Sequence, residues 1–464
     1  MVFSSTEFLF LFLPALLIVY FFPWRPTRLR LQGWRNGILL TFSVVFYALG
    51  EPVFVFIMLF FTFLNWLFGM EIARRRKKRF WMALAVSLDV LLLVIFKYTT
   101  FISRNLVRLT GNENLLIEIA LPIGISFFTF QMMSYIIDVY REPSSAQKNP
   151  LYVLMYISLF PQLIAGPIVR YRQIAGEIEE RETSFDNVAE GTRRFIYGLG
   201  KKVLLANFLA QVADNMFGSS EKLSVASAWL GAVAYTLQIY FDFSGYSDMA
   251  IGLGRMFGFH FLENFRYPYI SASVTEFWRR WHISLSSWFR DYVYIPLGGN
   301  RVKKSRWIWN LLTVWFLTGL WHGANWQFIL WGLIYFAVLL AEKMTGFPQK
   351  LGFFAHVYTM FVVTLAWVIF RAPDVASGVR YCGNMLGIGA GGLADSVAVV
   401  CLRGTYVVFL FGLIGATPLL SKCFDALKRR GFAWAESLWL AVVFFLSALE
   451  AVCSTYNPFI YFNF

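Results

Sequence analysis

Histidine is rare in this chain, with 4 in 464 residues, and two of them stand where an imidazole is costly to keep. His322 lies in Thr318-Gly319-Leu320-Trp321-His322-Gly323-Ala324-Asn325-Trp326, at the junction of two apolar runs. A neutral imidazole in such a place can take a proton from a hydroxyl near pH 7, the step that ester formation requires. On a continuous helix Thr318 and Asn325 share its face at i−4 and i+3, so Asn325 could orient the ring or stabilise an oxyanion. Gly319 and Gly323 form a small-xxx-small pair that lets another backbone or a ligand approach closely. The competing reading of His322 is a core histidine bonded to a neighbouring helix.

His282 belongs to a different kind of segment. Ser273-x-x-Glu276 is a capping box that opens a helix. Trp278, Trp281, Leu285, Trp288 and Tyr292 then recur at spacings of three and four, which predicts one aromatic stripe, with Arg279, Arg280 and Arg290 largely off it. By composition this is an interfacial amphipathic helix, ended by Ile295-Pro296-Leu297-Gly298-Gly299. Its cationic rim could hold an anionic donor such as a nucleotide phosphate, or lipid headgroups. For His282 itself the structural and functional readings stand level.

A third cluster is Gln238-Ile239-Tyr240-Phe241-Asp242-Phe243-Ser244-Gly245-Tyr246-Ser247-Asp248, where acids and hydroxyls interrupt an apolar span. Uncompensated, each acid near a bilayer centre costs on the order of 2.5–3.5 kcal/mol. Asp242 and Asp248 must therefore pair or line a polar cavity with Ser244. Arg255, or an arginine of the 279–290 segment, is the expected partner, and structural acids are as good a reading as catalytic ones.

The elements that must position these residues follow from composition. Apolar residues make up 58% and charged residues 15%, where soluble domains carry about a quarter charged. The chain is therefore an all-α polytopic membrane protein. A disordered scaffold, a soluble enzyme and a nucleic-acid binder are excluded. The net charge of +14 resides in short blocks such as Arg74-Arg75-Arg76-Lys77-Lys78-Arg79, the pattern of cytoplasmic loops touching anionic membrane lipid. Apolar runs near 8–24, 37–49, 52–69, 80–99, 117–139, 151–169, 194–217, 228–257, 308–321, 326–341, 353–370, 405–420 and 437–454 predict about 10–12 crossings, some of them re-entrant or interfacial. Charge asymmetry puts the N- and C-termini outside the cell, and no cleavable signal peptide is expected. Residues 1–464 read as a single membrane domain. Cys382, Cys401, Cys423 and Cys453 have no metal-ligand spacing, so no metal is expected; a Cys382–Cys401 disulfide is conceivable if their loop faces outward.

Phe160-Pro161-Gln162-Leu163-Ile164-Ala165-Gly166-Pro167, the Tyr240–Asp248 cluster, Glu276-Phe277-Trp278-Arg279-Arg280-Trp281-His282-Ile283-Ser284 and Leu320-Trp321-His322-Gly323-Ala324 together resemble the membrane-bound O-acyltransferases, in particular the branch of bacterial alginate O-acetyltransferases. The resemblance spans nearly the whole chain and is strongest over 120–345. It implies helices in a ring around a thin centre pierced by a tunnel, an acyl donor entering from the cytoplasm, and His322 as the catalytic histidine. His282 matches a second position, usually Asn or His, and Trp281 and Trp321 flank the two. The implied donor is acetyl-CoA, with no bound cofactor. The implied setting is the plasma (inner) membrane, with an extracytoplasmic SGNH-type partner through which a polysaccharide such as alginate or peptidoglycan is acetylated.

The tail Pro458-Phe459-Ile460-Tyr461-Phe462-Asn463-Phe464 reads from its residues as an interfacial aromatic anchor. It also resembles the C-terminal motif of related D-alanyl transfer systems, which implies Tyr461 as an acyl carrier. Two alternatives remain open: transfer of D-alanine or another acyl group, and an ion-coupled transporter, since embedded acids and broken helices suit ion coupling too. The absence of a visible internal repeat and the twin Trp-His sites argue against the transporter.

Overall fold

The computed structural model describes residues 1–22, 28–74, 76–219 and 222–460, which contain helices and turns and no strand. The chain packs as two compact units, Met1–Phe195 with Met249–Leu262, and Ile196–Asp248 with Glu263–Phe464. Among the described residues six helices are long and apolar enough to cross a membrane: Phe54–Ala73, Lys78–Thr110, Trp326–Thr345, Phe354–Arg371, Ser396–Gly415 and Trp434–Cys453. Other apolar runs are divided. Helix starts only at Ile125 in the run 117–139, after Pro122 and a left-handed Gly124 (φ 77°). The run 151–169 breaks at Leu159, ahead of Pro161.

In the first unit α1 (Phe54–Ala73) packs on α2 (Lys78–Leu93) and α3 (Ile125–Arg141). The buried Asp89 of α2 accepts a hydrogen bond from Asn65 Nδ2 of α1 at 2.9 Å, as a buried polar group requires. Phe3, Phe8, Phe12, Phe46 and Phe160 form a ring cluster with neighbouring centroids 4.9–5.6 Å apart in the pairs Phe3–Phe8, Phe8–Phe12, Phe12–Phe46 and Phe46–Phe160. Arg255 pairs with Glu190 within this unit.

The second unit carries His282, His322, Asp242 and Asp248. A wide π-type turn, Lys201–Ala206, leads into α4 (Asn207–Phe217) and precedes the 32-residue α5 (Val225–Met256), whose residues up to Asp248 belong here. A Cβ on Gly245 would lie 2.8 Å from the Gly198 carbonyl oxygen and 3.1 Å from the Lys202 nitrogen, so only glycine lets these backbones approach and puts the two lysines beside α5. Two short helices follow, α6 (Val274–Arg280) and α7 (Ile283–Phe289). The expected N-cap is present, since Ser273 Oγ accepts the Glu276 N–H at 3.0 Å, but the reciprocal half of the capping box is shifted by one residue: Glu276 accepts the N–H of Ala272 at 2.9 Å. The single striped helix is not. The chain breaks at His282, which takes a left-handed conformation (φ 43°, ψ 54°). That conformation turns α7 away from α6, and Trp278, Trp281, Leu285, Trp288 and Tyr292 are all buried in protein rather than laid along an interface.

A helical hairpin completes the frame: α8 (Lys304–His322) and α9 (Trp326–Thr345), followed by α10 (Phe354–Arg371), α11 (Ser396–Gly415) and α12 (Trp434–Cys453). A Cβ on Gly319 would sit 2.5 Å from the Phe328 carbonyl oxygen, so the small residue one turn before His322 sets the spacing of the hairpin. Cys382 and Cys401 are free thiols. The core of this unit is aromatic, with Trp278 on Trp315 (4.8 Å) and Tyr335 (4.9 Å), and Trp281 on Trp367 (4.9 Å). Each such pair contributes about 0.5–1.5 kcal/mol beyond its buried area.

Candidate active site

His322 is the last residue of α8, because Gly323 leaves the helix fully extended. The expected shared face with Asn325 therefore does not form, although Thr318 remains one turn behind. Asn325 instead caps α9: its Oδ1 accepts the Trp326 N–H at 2.8 Å. The buried His322 ring stands edge-on to Trp321 (5.0 Å), Trp331 (5.0 Å) and Phe370 (5.2 Å), with interplanar angles near 80°. These rings hold its orientation through packing.

His282, 1% exposed, faces the same aromatic group, 5.9 Å from Trp321 and edge-on to Phe243 at 4.6 Å. Trp321 thus contacts both histidines. Burial, reinforced by positive charge on His322, pushes the His282 imidazole well below its ordinary range, so the ring is neutral at pH 7. Asn264, Ser284 and Ser247 surround it: Asn264 Oδ1 lies 3.2 Å from His282 Nδ1 and accepts from Ser284 Oγ at 2.9 Å. None of these three was marked by spacing, since Asn264 lies 18 positions before His282 in an ordinary loop.

The segment carrying His282 is tied to the hairpin carrying His322. Glu342, on α9, accepts the Val274 and Thr275 N–H groups at 2.8 Å each and the Thr275 hydroxyl at 2.6 Å. Its carboxylate thereby satisfies orphan donors at the start of α6 and complements that helix's positive end.

The acids of α5 find partners other than the expected arginines. Asp242 pairs with Lys202 at 2.7 Å, both nearly fully buried, and Asp248 pairs with Lys201 at 2.6 Å. Arg255 is engaged elsewhere, and Arg280 is clamped on Glu276 (2.8 Å). Arg279 stays exposed. Adjacent lysines inside an apolar run, as Lys201 and Lys202 are, carry no pattern of their own. The Lys202 ammonium forms an ion pair with Asp242 and donates to Asn207 Oδ1 (3.0 Å) and the Pro458 carbonyl. Asp242 also accepts the Ile460 N–H at 2.8 Å. Phe459 stacks on Tyr246 at 4.8 Å, and Tyr456 donates to Asp214. Phe459 and Ile460 are accordingly buried in the protein core rather than placed at an interface. Tyr461 lies outside the described residues. Ser244 is buried on α5, one residue beyond Phe243. Among the described residues no group of three or more His, Cys, Asp or Glu could hold a metal ion.

Comparison with known proteins gives the geometry its context. Residues 81–379 match the profile of MBOAT, the membrane-bound O-acyltransferase family. The chain is 40% identical to a protein of Azotobacter vinelandii named "Probable alginate O-acetylase AlgI", over 100% of both chains. It is 44% identical to the protein of the same name in Pseudomonas aeruginosa, over 85% of this chain and 76% of that one. It is also 30% identical to the "Peptidoglycan O-acetyltransferase" of Helicobacter pylori, over 100% of this chain and 98% of the relative. With two buried histidines about one tryptophan in a helical membrane protein, and a family match across most of its length, this chain belongs to the membrane-bound O-acyltransferases and is an acyltransferase.

Proposed function

We propose that the protein takes an acetyl group from acetyl-CoA on the cytoplasmic side of the plasma membrane and passes it across for O-acetylation of an extracytoplasmic polysaccharide, with alginate and peptidoglycan as the chemical types. The observation that carries this reading is the pair of buried imidazoles packed on the same Trp321 ring. The names of the relatives from Azotobacter vinelandii and Helicobacter pylori support an O-acetylated envelope polymer as the destination.

The reaction balances as a simple acyl exchange. A hydroxyl oxygen attacks the thioester carbonyl while the imidazole of His322 takes the hydroxyl proton. The C–O bond forms, the C–S bond breaks, and the proton passes from the imidazolium to the departing CoA thiolate. A positioned base of this kind contributes about 10²–10⁴-fold. Arg279, exposed at the end of α6, is the candidate contact for the donor's phosphates. The candidate first acceptor is Tyr461, which follows directly on Ile460, whose amide Asp242 holds. A phenol ester is an activated acyl group and passes downhill to an alkyl hydroxyl, here that of an SGNH-type extracytoplasmic partner.

The test is label transfer from acetyl-labelled CoA to purified protein. Wild type becomes labelled, and both His322→Ala and Tyr461→Phe do not. Full labelling of a folded His322→Ala protein refutes the histidine chemistry. Label retained in Tyr461→Phe moves the acceptor elsewhere.

A further inference from the structure

We infer that Asn264 is a positioning residue that holds His282 in one tautomer, with the proton on Nδ1 and a bare lone pair on Nε2. The Ser284 backbone N–H can only donate, and it lies 3.2 Å from Asn264 Oδ1. The amide oxygen of Asn264 must therefore face the loop, and its NH₂ group faces Ser247 Oγ at 2.9 Å. That fixes the flip of the amide, which its shape alone leaves open. Oδ1 also lies 3.2 Å from His282 Nδ1. The Ser284 hydroxyl is 3.4 Å from Nδ1 but gives its proton to Oδ1, at 2.9 Å. Two acceptors cannot share a hydrogen bond, so Nδ1 carries the proton.

A neutral ring has one N–H, so Nε2 is left as an acceptor. Among the described residues Nε2 is buried and has no hydrogen-bond partner. A buried acceptor left open in this way has a cost that a bound donor would remove. The backbone supports the same arrangement. The Ile283 N–H donates to the Asn264 carbonyl at 3.0 Å, and the Arg266 N–H donates to the Arg280 carbonyl at 2.9 Å. These two bonds lash the loop 264–266 to the chain on both sides of His282. They hold a non-glycine residue in the left-handed region, where it would not settle unaided. The ring can therefore accept a hydrogen bond or a proton at Nε2 but cannot donate one there. In acyl transfer this makes His282 the acceptor for a hydroxyl or amide N–H of the bound substrates; this consequence rests on the function proposed above.

The tautomer is measurable without any substrate. The full chain, labelled with ¹⁵N-histidine and placed in lipid bilayers, contains only 4 histidines, and the His282 signals are those lost in His282→Gln. At pH 7 the wild-type ring is expected to show a protonated Nδ1 and an unprotonated Nε2. In Asn264→Leu the signal becomes a mixture of tautomers, and turnover with acetyl-CoA falls on the order of 10²-fold, the lower end of a base's contribution. The KM for the donor stays unchanged. Asn264→Asp keeps an acceptor oxygen beside Nδ1 and adds a negative charge that favours a proton there, so it keeps the Nδ1–H signal and guards against a simple folding defect in Asn264→Leu. A wild-type ring protonated on Nε2, or an unchanged His282 spectrum in Asn264→Leu, overturns the inference. If the ring shows Nδ1–H and His282→Gln still transfers acetyl normally, the use of His282 in transfer fails while the tautomer assignment stands.

Discussion

At the scale of residues, burial decides which charges exist and which need a partner. His282 is neutral because the folded protein withholds water from it, while in the unfolded chain it titrates near pH 6.5. Below that pH the unfolded state binds a proton that the folded state does not, so stability falls as the pH drops through about 6.5 and is regained above it. A series of melting temperatures in detergent at different pH should show this slope for wild type and a flatter one for His282→Gln. Lys202 and Asp242 obey the complementary rule. Removing one partner of a buried pair leaves the other charge uncompensated and costs about 3–5 kcal/mol. Lys202→Met or Asp242→Asn alone should therefore lower thermal stability far more than half of what the double variant loses. Recovery in the double variant stays incomplete, because Asp242 also holds the Ile460 N–H. Additive losses would show that the pair is not coupled.

At the scale of elements, the site depends on helices that stop where they do. Had α8 continued past His322, Asn325 would share the histidine's face; the extended Gly323 ends the helix and frees Asn325 to start the next one. Likewise α6 and α7 are two helices because His282 occupies a left-handed turn between them. Glu342 links these elements by accepting three hydrogen bonds at the head of α6. Truncating it in Glu342→Ala leaves buried donors unpaired, at about 1–3 kcal/mol for the first such group, and unfastens the loop that carries His282. Thermal unfolding should show the loss, and acyl transfer should fall with it. Glu342→Gln, which keeps an acceptor oxygen, should recover part of both. Equal behaviour of Ala and Gln would mean that the carboxylate does not cap α6.

At the scale of the whole chain, the C-terminal segment is part of the second unit's core. Tyr456, Pro458, Phe459 and Ile460 are each held by a side chain from a distant element. Deleting residues 455–464 should strip Lys202 and Asp242 of partners together, lowering the melting temperature by several degrees at about 2–4 °C per kcal/mol and abolishing transfer. Tyr461→Phe should abolish transfer at an unchanged melting temperature. A deletion variant as stable as wild type would show that the tail contributes nothing to the core.

Local composition was enough to reveal the membrane class and the two histidines, because apolar run length and a rare imidazole among apolar neighbours are properties of short stretches of chain. The cap at Ser273 was legible for the same reason: an N-cap bond closes within four residues. The partners of Asp242 and Asp248, the role of Asn264 and the fate of the tail were decided only by tertiary structure. Each joins residues from 17 to 256 positions apart, and nothing in a linear pattern says which of several charged side chains a buried acid will meet. The break at His282 was hidden for a subtler reason. Tryptophans at spacings of three and four favour a continuous helix locally, and only the loop hydrogen bonds of Asn264 and Arg266 overrule that preference.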